Sequence, residues 1–257
     1  MSGPPQQGPE RGAYDQAYYQ KVSGLDELKY WSMAWWSIRF YAGLCRRLLG
    51  RRRARVLEVG CAHGFLLERL VGRYECWGVD VSAYALSRAR LRVPEAHLIE
   101  ADLGEPLPGA LAEGRFDLIV ARYVFEHLPQ PGATIKALAG LLRPGGRLLF
   151  AVPDPASPGR RMKGERWFAY QDETHVSLLS AECWLELTRE AGLVVTRTFS
   201  DGLWDVPYVG FVPRVIQYGL FTMPTMISVA LTLPLIPAGR GENLIVIARS
   251  RSGRNGT

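Results

Sequence analysis

Short, nearly unbroken apolar runs alternate along this chain with longer stretches in which apolar residues recur every three or four positions. The runs at 55–59, 75–80, 96–100, 116–120, 147–152, 193–199 and 243–249 have strand length, and several close on a glycine or an acid. Between them, helical spacing covers 25–49, 65–71, 83–90, 131–142 and 181–191. Ser82 and Ser180 stand where N-caps belong, and Glu182 places an acid in a first turn. Gly192 and the run Pro144, Gly145, Gly146 stand where helices stop. Strands separated by helices predict an α/β fold built on a mostly parallel sheet.

The sharpest boundary is RVLEVGCAHGF at 55–65, followed at Asp80 by the acid that closes WGVD. A strand that breaks at a glycine-bearing turn into a helix points its end at a ligand, and two details narrow the choice. A dinucleotide fingerprint uses its second glycine to let the backbone approach a pyrophosphate. Here Ala62 takes that place and Phe65 the third, a poor fit to a diphosphate. Glu58 lies beside the same turn, where a carboxylate repels phosphate and attracts an ammonium or sulfonium. Asp80 lies at the tip of the next strand, where an acid accepts hydrogen bonds from ribose hydroxyls. Ribose with positive charge and no phosphate describes S-adenosylmethionine.

VLEVGCAHGF, GVDVS, EADL at 100–103, FDLIVARYVFEHL at 116–128 and LRPGGRLLFAVP at 142–153 resemble, in order and spacing, the motifs of the class I S-adenosylmethionine-dependent methyltransferases. The resemblance covers residues 55–249. It implies a Rossmann-like fold: a seven-stranded, mostly parallel sheet, its last strand antiparallel between its neighbours, with helices on both faces. It implies cofactor contacts from Glu58, Gly60, Cys61, Ala62 and Gly64, from Asp80 and Val81, and from Ala101, Asp102 and Leu103. The backbone of Ala121 and Arg122 would complete the cleft at the switch point. Asp102 would meet the adenine amino group, or it caps the turn before Gly104. An N-terminal tyrosine-bearing segment would fold over the cofactor, with Tyr14, Tyr18 and Tyr19 as candidate lid contacts. The family's usual glycine triplet is replaced by Cys61, Ala62 and His63.

The 257 residues are 47% hydrophobic, enough for one sizeable core. Residues 1–12 read as a disordered tail rather than a signal peptide, 13–54 as a helical lid segment, 55–250 as the methyltransferase domain and 251–257 as a second tail. The four cysteines form no CxxC pair, which argues against a zinc or disulfide framework and fits a reducing, cytoplasmic setting. The net charge of +6 is carried mostly by arginine, densest at Arg46, Arg47, Arg51, Arg52, Arg53 and Arg55. This cluster is either a solvated helix end or a patch for anionic headgroups or nucleic acid. No appended RNA-binding motif accompanies it. An apolar insertion covers about 203–241, and its stretch 215–237 has no charge. Pro224 and Pro234 interrupt that stretch, and both flanks must return to one sheet. It is therefore expected first as a cap packed on the domain, otherwise as a homodimer interface or a peripheral membrane contact through 211–237.

Methyl transfer from a sulfonium needs the nucleophile, methyl carbon and sulfur held in line, and a base only for a hydroxyl acceptor. His175, beside Asp172 and Glu173, and His127 are the candidate bases; Tyr123 and Tyr170 are candidate wall residues on or near the loop 153–179. No metal is expected, because Glu126 and His127 are adjacent and no third ligand is apparent. The leading expectation is O-methylation of a small-molecule, glycan or lipid-precursor acceptor. A non-catalytic S-adenosylmethionine-binding module and an RNA methyltransferase are the alternatives, and an NAD oxidoreductase is disfavoured by Ala62 and Glu58.

Overall fold

The computed structural model describes residues 11–19, 29–30, 32–50, 53–112 and 115–251. The tails expected at 1–12 and 251–257 lie largely outside these, as do 25–28 and 31 of the helix expected over 25–49. Seven strands form one sheet: β1 (Arg55–Val59), β2 (Glu75–Asp80), β3 (His97–Glu100), β4 (Phe116–Arg122), β5 (Leu142–Pro153), β6 (Leu193–Phe199) and β7 (Asn243–Ser250). Their order is β3-β2-β1-β4-β5-β7-β6. All neighbours through β5 are parallel, and β7 runs antiparallel to both β5 and β6. This is the topology expected from the sequence.

The strands read as continuous apolar runs because both faces of the sheet are covered. On one face Val56, Leu118, Val120 and Leu149 pack with α1 (Met33–Leu49) and α2 (Phe65–Glu68). Leu86 of α3 (Ala83–Arg92) joins them there. On the other face Leu57, Ile119, Phe150 and Val246 pack with α4 (Pro131–Leu141) and with Trp184. Ser32, Ser82 and Ser180 each cap a helix through the side-chain oxygen, accepting from Trp35, Ala85 and Cys183.

The run Pro144, Gly145, Gly146 differs from its expectation as a turn before the strand. It lies inside β5, where the register with β4 shifts between Phe116 and Leu118. A Cβ at position 146 would lie 2.7 Å from the Phe116 carbonyl oxygen, so glycine lets the irregular stretch stay paired.

After β5 the chain makes an excursion through α5 (Pro158–Lys163) and returns along 171–180 to α6 (Ala181–Glu190). Buried Glu242 anchors this excursion, accepting from Trp167 Nε1 at 2.7 Å and Tyr208 Oη at 2.5 Å. The segment between β6 and β7 carries α7 (Arg214–Gln217), a π-helical turn (Tyr218–Thr222) and α8 (Met223–Leu231).

This stretch packs against α1, where Val229 joins the core and Arg39 and Arg47 reach the carbonyls of Ala230 and Leu231, but the face it packs is not the apolar one that the cap expectation assumed. Its inward face is polar, with Gln217, Thr222, Thr225 and Ser228 buried beside Val229. Its apolar side chains point out: Phe211 is 89% exposed, Val215 81% and Leu220 65%, and Ile216, Met223, Ile227 and Leu231 are also exposed. The inversion follows from the local backbone. Gln217 satisfies the loop amides of Tyr208 and Val209 and the carbonyls of Val209 and Val212. Ser228 Oγ bonds the Leu233 carbonyl and accepts from the Leu235 amide. A tight hairpin with this many backbone groups to satisfy takes polar side chains inward.

Candidate cofactor and acceptor site

The reversal of strand order falls between β1 and β4, and the C-terminal ends of the strands there form the crevice in which open α/β sheets bind ligands. β1 enters the loop at Gly60, whose φ is +67°. A Cβ there would lie 2.4 Å from Val124 Cγ2, so this position needs glycine for both backbone and space. Ala62 sits at φ +45°, held by its amide, which donates to Asp80 Oδ2 at 2.8 Å. The Cys61 amide donates to the Val79 carbonyl, while its thiol is buried near Gly78. Gly64 at φ +77° opens α2.

Asp80 is the hub of this end of the sheet. Its Oδ1 accepts from the Ser82 amide at 2.9 Å and its Oδ2 from Ala62, which fixes the carboxylate at the strand tip. Burial pushes its pKa up, and these amides pull it back. The Tyr19 hydroxyl lies 3.5 Å from Oδ1, and the Tyr19 ring packs against His63 at 4.8 Å. Ser82 Oγ donates to the Tyr14 carbonyl, and Tyr18 Oη donates to Asp172 Oδ2 at 3.3 Å. The three tyrosines expected at the lid thus lie over the strand ends. Asp102 follows β3 and its Oδ1 accepts from the Gly104 amide at 2.8 Å, the capping alternative weighed for it. Neighbouring Ala101 bonds through its amide to the Asp80 carbonyl, and the Leu103 carbonyl accepts from Thr134 Oγ1. Val81 lies between Asp80 and the Ser82 cap.

Beneath the loop, Glu58 is 1% exposed and lies 3.4 Å from Arg122 Nη2, while among the described residues its Oε2 has no hydrogen-bond partner. Burial pushes this carboxyl up to about 7, against the pull of Arg122. Arg122 itself stacks over the Tyr41 ring, and Ala121 is buried beside it.

On the far side of β4, a 3-10 turn (Phe125–His127) carries Glu126 and His127. The sequence offers these two no apparent third ligand, and the fold supplies one in His175. The amides of Val176 and Ser177 donate to the Glu126 carbonyl, which draws the returning segment 171–180 against the turn and delivers His175. The His127 and His175 rings lie 4.7 Å apart, and one donor atom from each of Glu126, His127 and His175 lies within 4.8 Å of the others. Asp172 Oδ2 lies 3.7 Å from His175 Nε2. Burial pushes Glu126 up to about 8 and, with His175 beside it, pushes His127 down to about 4. Tyr170 faces Arg160, from which its hydroxyl accepts at 2.9 Å, and Tyr123 Oη reaches Asp201.

A family model described as a methyltransferase domain matches residues 33–198, more than half of the chain. The chain belongs to this methyltransferase family. Its class I, S-adenosylmethionine-dependent character, expected from the motifs, is borne out by the match and by the sheet.

Among curated relatives, the ubiquinone biosynthesis O-methyltransferase of Ralstonia nicotianae is 36% identical over 38% of this chain and 42% of its own length. The protein of the same name from Alkalilimnicola ehrlichii is 36% identical over 44% of this chain and 46% of its own. The chain thus matches less than half the length of these relatives. Among solved structures, the N-methyltransferase NodS from Bradyrhizobium japonicum, in complex with S-adenosyl-L-homocysteine, superposes with a TM-score of 0.58 at 18% identity, covering 91% of this chain and 97% of that one. The [4+2]-cyclase SpnF superposes with a TM-score of 0.57 at 19% identity over 88% and 86%. At such identities the likeness is one of fold, and one fold hosts different chemistries.

Proposed function

We propose that this methyltransferase moves a methyl group from S-adenosylmethionine to a hydroxyl of a small acceptor, a lipid precursor in particular. The observation that carries the cofactor reading is the pair of acids at the switch point. Asp80 is preset by two backbone amides to receive ribose hydroxyls, and Glu58 keeps a buried oxygen without a partner among the described residues near the loop, where an ammonium would satisfy it. The residues present therefore fit the cofactor, with the loop 60–64 and the ends of β2, β3 and β4 around it. Bound there, S-adenosylmethionine supplies an activated methyl group.

The chain's own task is to align and desolvate. The tyrosines of 14–19 cover the strand ends, and the turn bearing Glu126 and His127 meets His175 on the acceptor side, where His175 would take the proton of an acceptor hydroxyl whose oxygen is held in line with the methyl group, the sulfur leaving as the thioether of S-adenosylhomocysteine. The names of the O-methyltransferase relatives support oxygen as the nucleophile. A lipid precursor is favoured because the segment between β6 and β7 turns apolar side chains outward beside Arg39 and Arg47, whose guanidinium groups bond the Ala230 and Leu231 carbonyls. That combination suits peripheral contact with an anionic membrane. Among the described residues no helix is long and apolar enough to cross one.

The test is calorimetric titration with S-adenosylhomocysteine, then incubation with labelled S-adenosylmethionine and hydroxylated lipid or phenolic acceptors. Saturable binding and label stable to base, as in an ether, are expected. A protein that takes up NAD and ignores S-adenosylhomocysteine refutes the cofactor, and binding without transfer to any acceptor leaves a non-catalytic module.

A further inference from the structure

We propose that Glu126, His127 and His175 hold a divalent first-row transition ion on the acceptor side of the site. Glu126 is 1% exposed, and among the described residues no other residue bonds either of its carboxyl oxygens. A buried acid without a partner is costly, and a cation between it and two imidazoles removes the cost.

The surrounding bonds leave each imidazole ready to ligate. Thr174 Oγ1 donates to Asp172 Oδ1 at 2.5 Å, so toward His127 Nδ1, 2.9 Å away, the hydroxyl acts as acceptor and the ring nitrogen carries the proton. His175 Nδ1 lies 2.7 Å from the Ala169 carbonyl, which accepts only and so also demands a proton on Nδ1. Both rings therefore carry their lone pair on Nε2, that of His175 lying 3.7 Å from Asp172 Oδ2. A ligating histidine whose other nitrogen donates to a carbonyl or a hydroxyl is the usual arrangement around bound metals.

One donor atom from each of the three residues lies within 4.8 Å of the others, and a closure of about 1.4 Å brings them to the separation of ligands in a tetrahedral shell of about 2.1 Å radius. Two imidazoles and one carboxylate suit zinc, iron(II) or manganese(II) and do not suit magnesium or calcium, which prefer all-oxygen shells. Three protein ligands leave coordination positions open. The role of the ion rests on the methyl-transfer reading above: an acceptor hydroxyl bound in an open position would release its proton to bulk water near neutral pH, since both imidazoles are then engaged as ligands, and would meet the methyl group as an alkoxide or phenolate. The Tyr14 ring packs edge-on against His127 at 5.9 Å, so the N-terminal segment that covers the cofactor side also closes over the ion.

The test titrates chelator-stripped full-length protein with zinc by calorimetry, with magnesium as the contrast, and titrates the same samples with S-adenosylhomocysteine. One zinc per chain is expected, with Glu126→Gln and His175→Ala each weakening it at least about tenfold. His97→Ala, on the opposite edge against Trp77, should leave zinc affinity unchanged. Retained S-adenosylhomocysteine binding shows that a variant is folded. Wild-type protein that binds S-adenosylhomocysteine but not zinc overturns the ion alone, as does zinc affinity that Glu126→Gln and His175→Ala both leave intact. Protein that binds zinc in this pattern but not S-adenosylhomocysteine keeps the ion site and removes the methyl-transfer reading.

Discussion

Asp80 holds two backbone amides, one from the loop after β1 and one from the cap of α3, so a single carboxylate ties together the elements that frame the proposed cofactor site. Asp80→Ala leaves those amides and an incoming ribose hydroxyl without their acceptor. A loss of about 1–3 kcal/mol in S-adenosylhomocysteine affinity is expected by calorimetry, and unchanged affinity would refute the assignment. Gly60→Ala forces a Cβ onto Val124 at a positive φ, and a drop of about 1–2 kcal/mol in stability by denaturant titration follows from the backbone alone. Glu58 adds a pH dependence. Its carboxyl titrates near 7 in the free protein, and a bound ammonium favours the ionised form. Below pH 7 binding must therefore release a proton, so affinity rises with pH, by about tenfold between pH 5.5 and 7, and levels off above. Glu58→Gln should flatten this dependence and weaken binding. Calorimetry in buffers of different ionisation enthalpy reads the proton release directly.

At the scale of elements, what was legible in the sequence was what local pattern decides. β2 and β6 begin and end where their apolar runs do, and the serine caps stand at the starts of their helices, because burial on both faces and an orphan amide leave little choice. Two things were not legible. His175 joins Glu126 and His127 only because the backbone of 176–177 bonds the Glu126 carbonyl, a contact across 50 residues that no spacing announces. The pattern 215–237 reads as an apolar segment to bury, yet its few polar side chains face inward because the hairpin needs hydrogen-bond partners for its own backbone. The inversion predicts an unusual stability series. Ser228→Ala removes bonds to Leu233 and Leu235 and should cost about 1–2 kcal/mol. Ile227→Ser on the outer side should change stability by no more than about 0.5 kcal/mol. Denaturant midpoints in the opposite order would mean that the apolar side, and not the polar one, is the packed face.

For the whole molecule, the position of that segment matters more than its composition. β6 ends at Phe199 opposite Ile245, and β7 begins at Asn243 opposite Pro153, so the insertion leaves and rejoins the sheet at the end where the parallel strands open toward the ligand. Asp201 at its root touches Tyr123 at the end of β4. An apolar ridge rooted at that rim, with arginines of α1 pinned to the end of α8, would lay the acceptor side of the site close to a bilayer. A lipid precursor could then enter without crossing water. Burial of the ridge supplies the apolar part of the attraction and the arginines the electrostatic part, and only the second is screened by salt. Co-sedimentation should therefore show stronger binding to vesicles containing phosphatidylserine than to phosphatidylcholine alone, with the difference disappearing at high salt. Replacing Val215, Leu220 and Ile227 together by serine should abolish binding to both while leaving S-adenosylhomocysteine affinity intact, because all three side chains are exposed and none is part of the core. Vesicle binding that survives this triple replacement would place the contact elsewhere on the molecule and detach the choice of a lipid acceptor from the ridge.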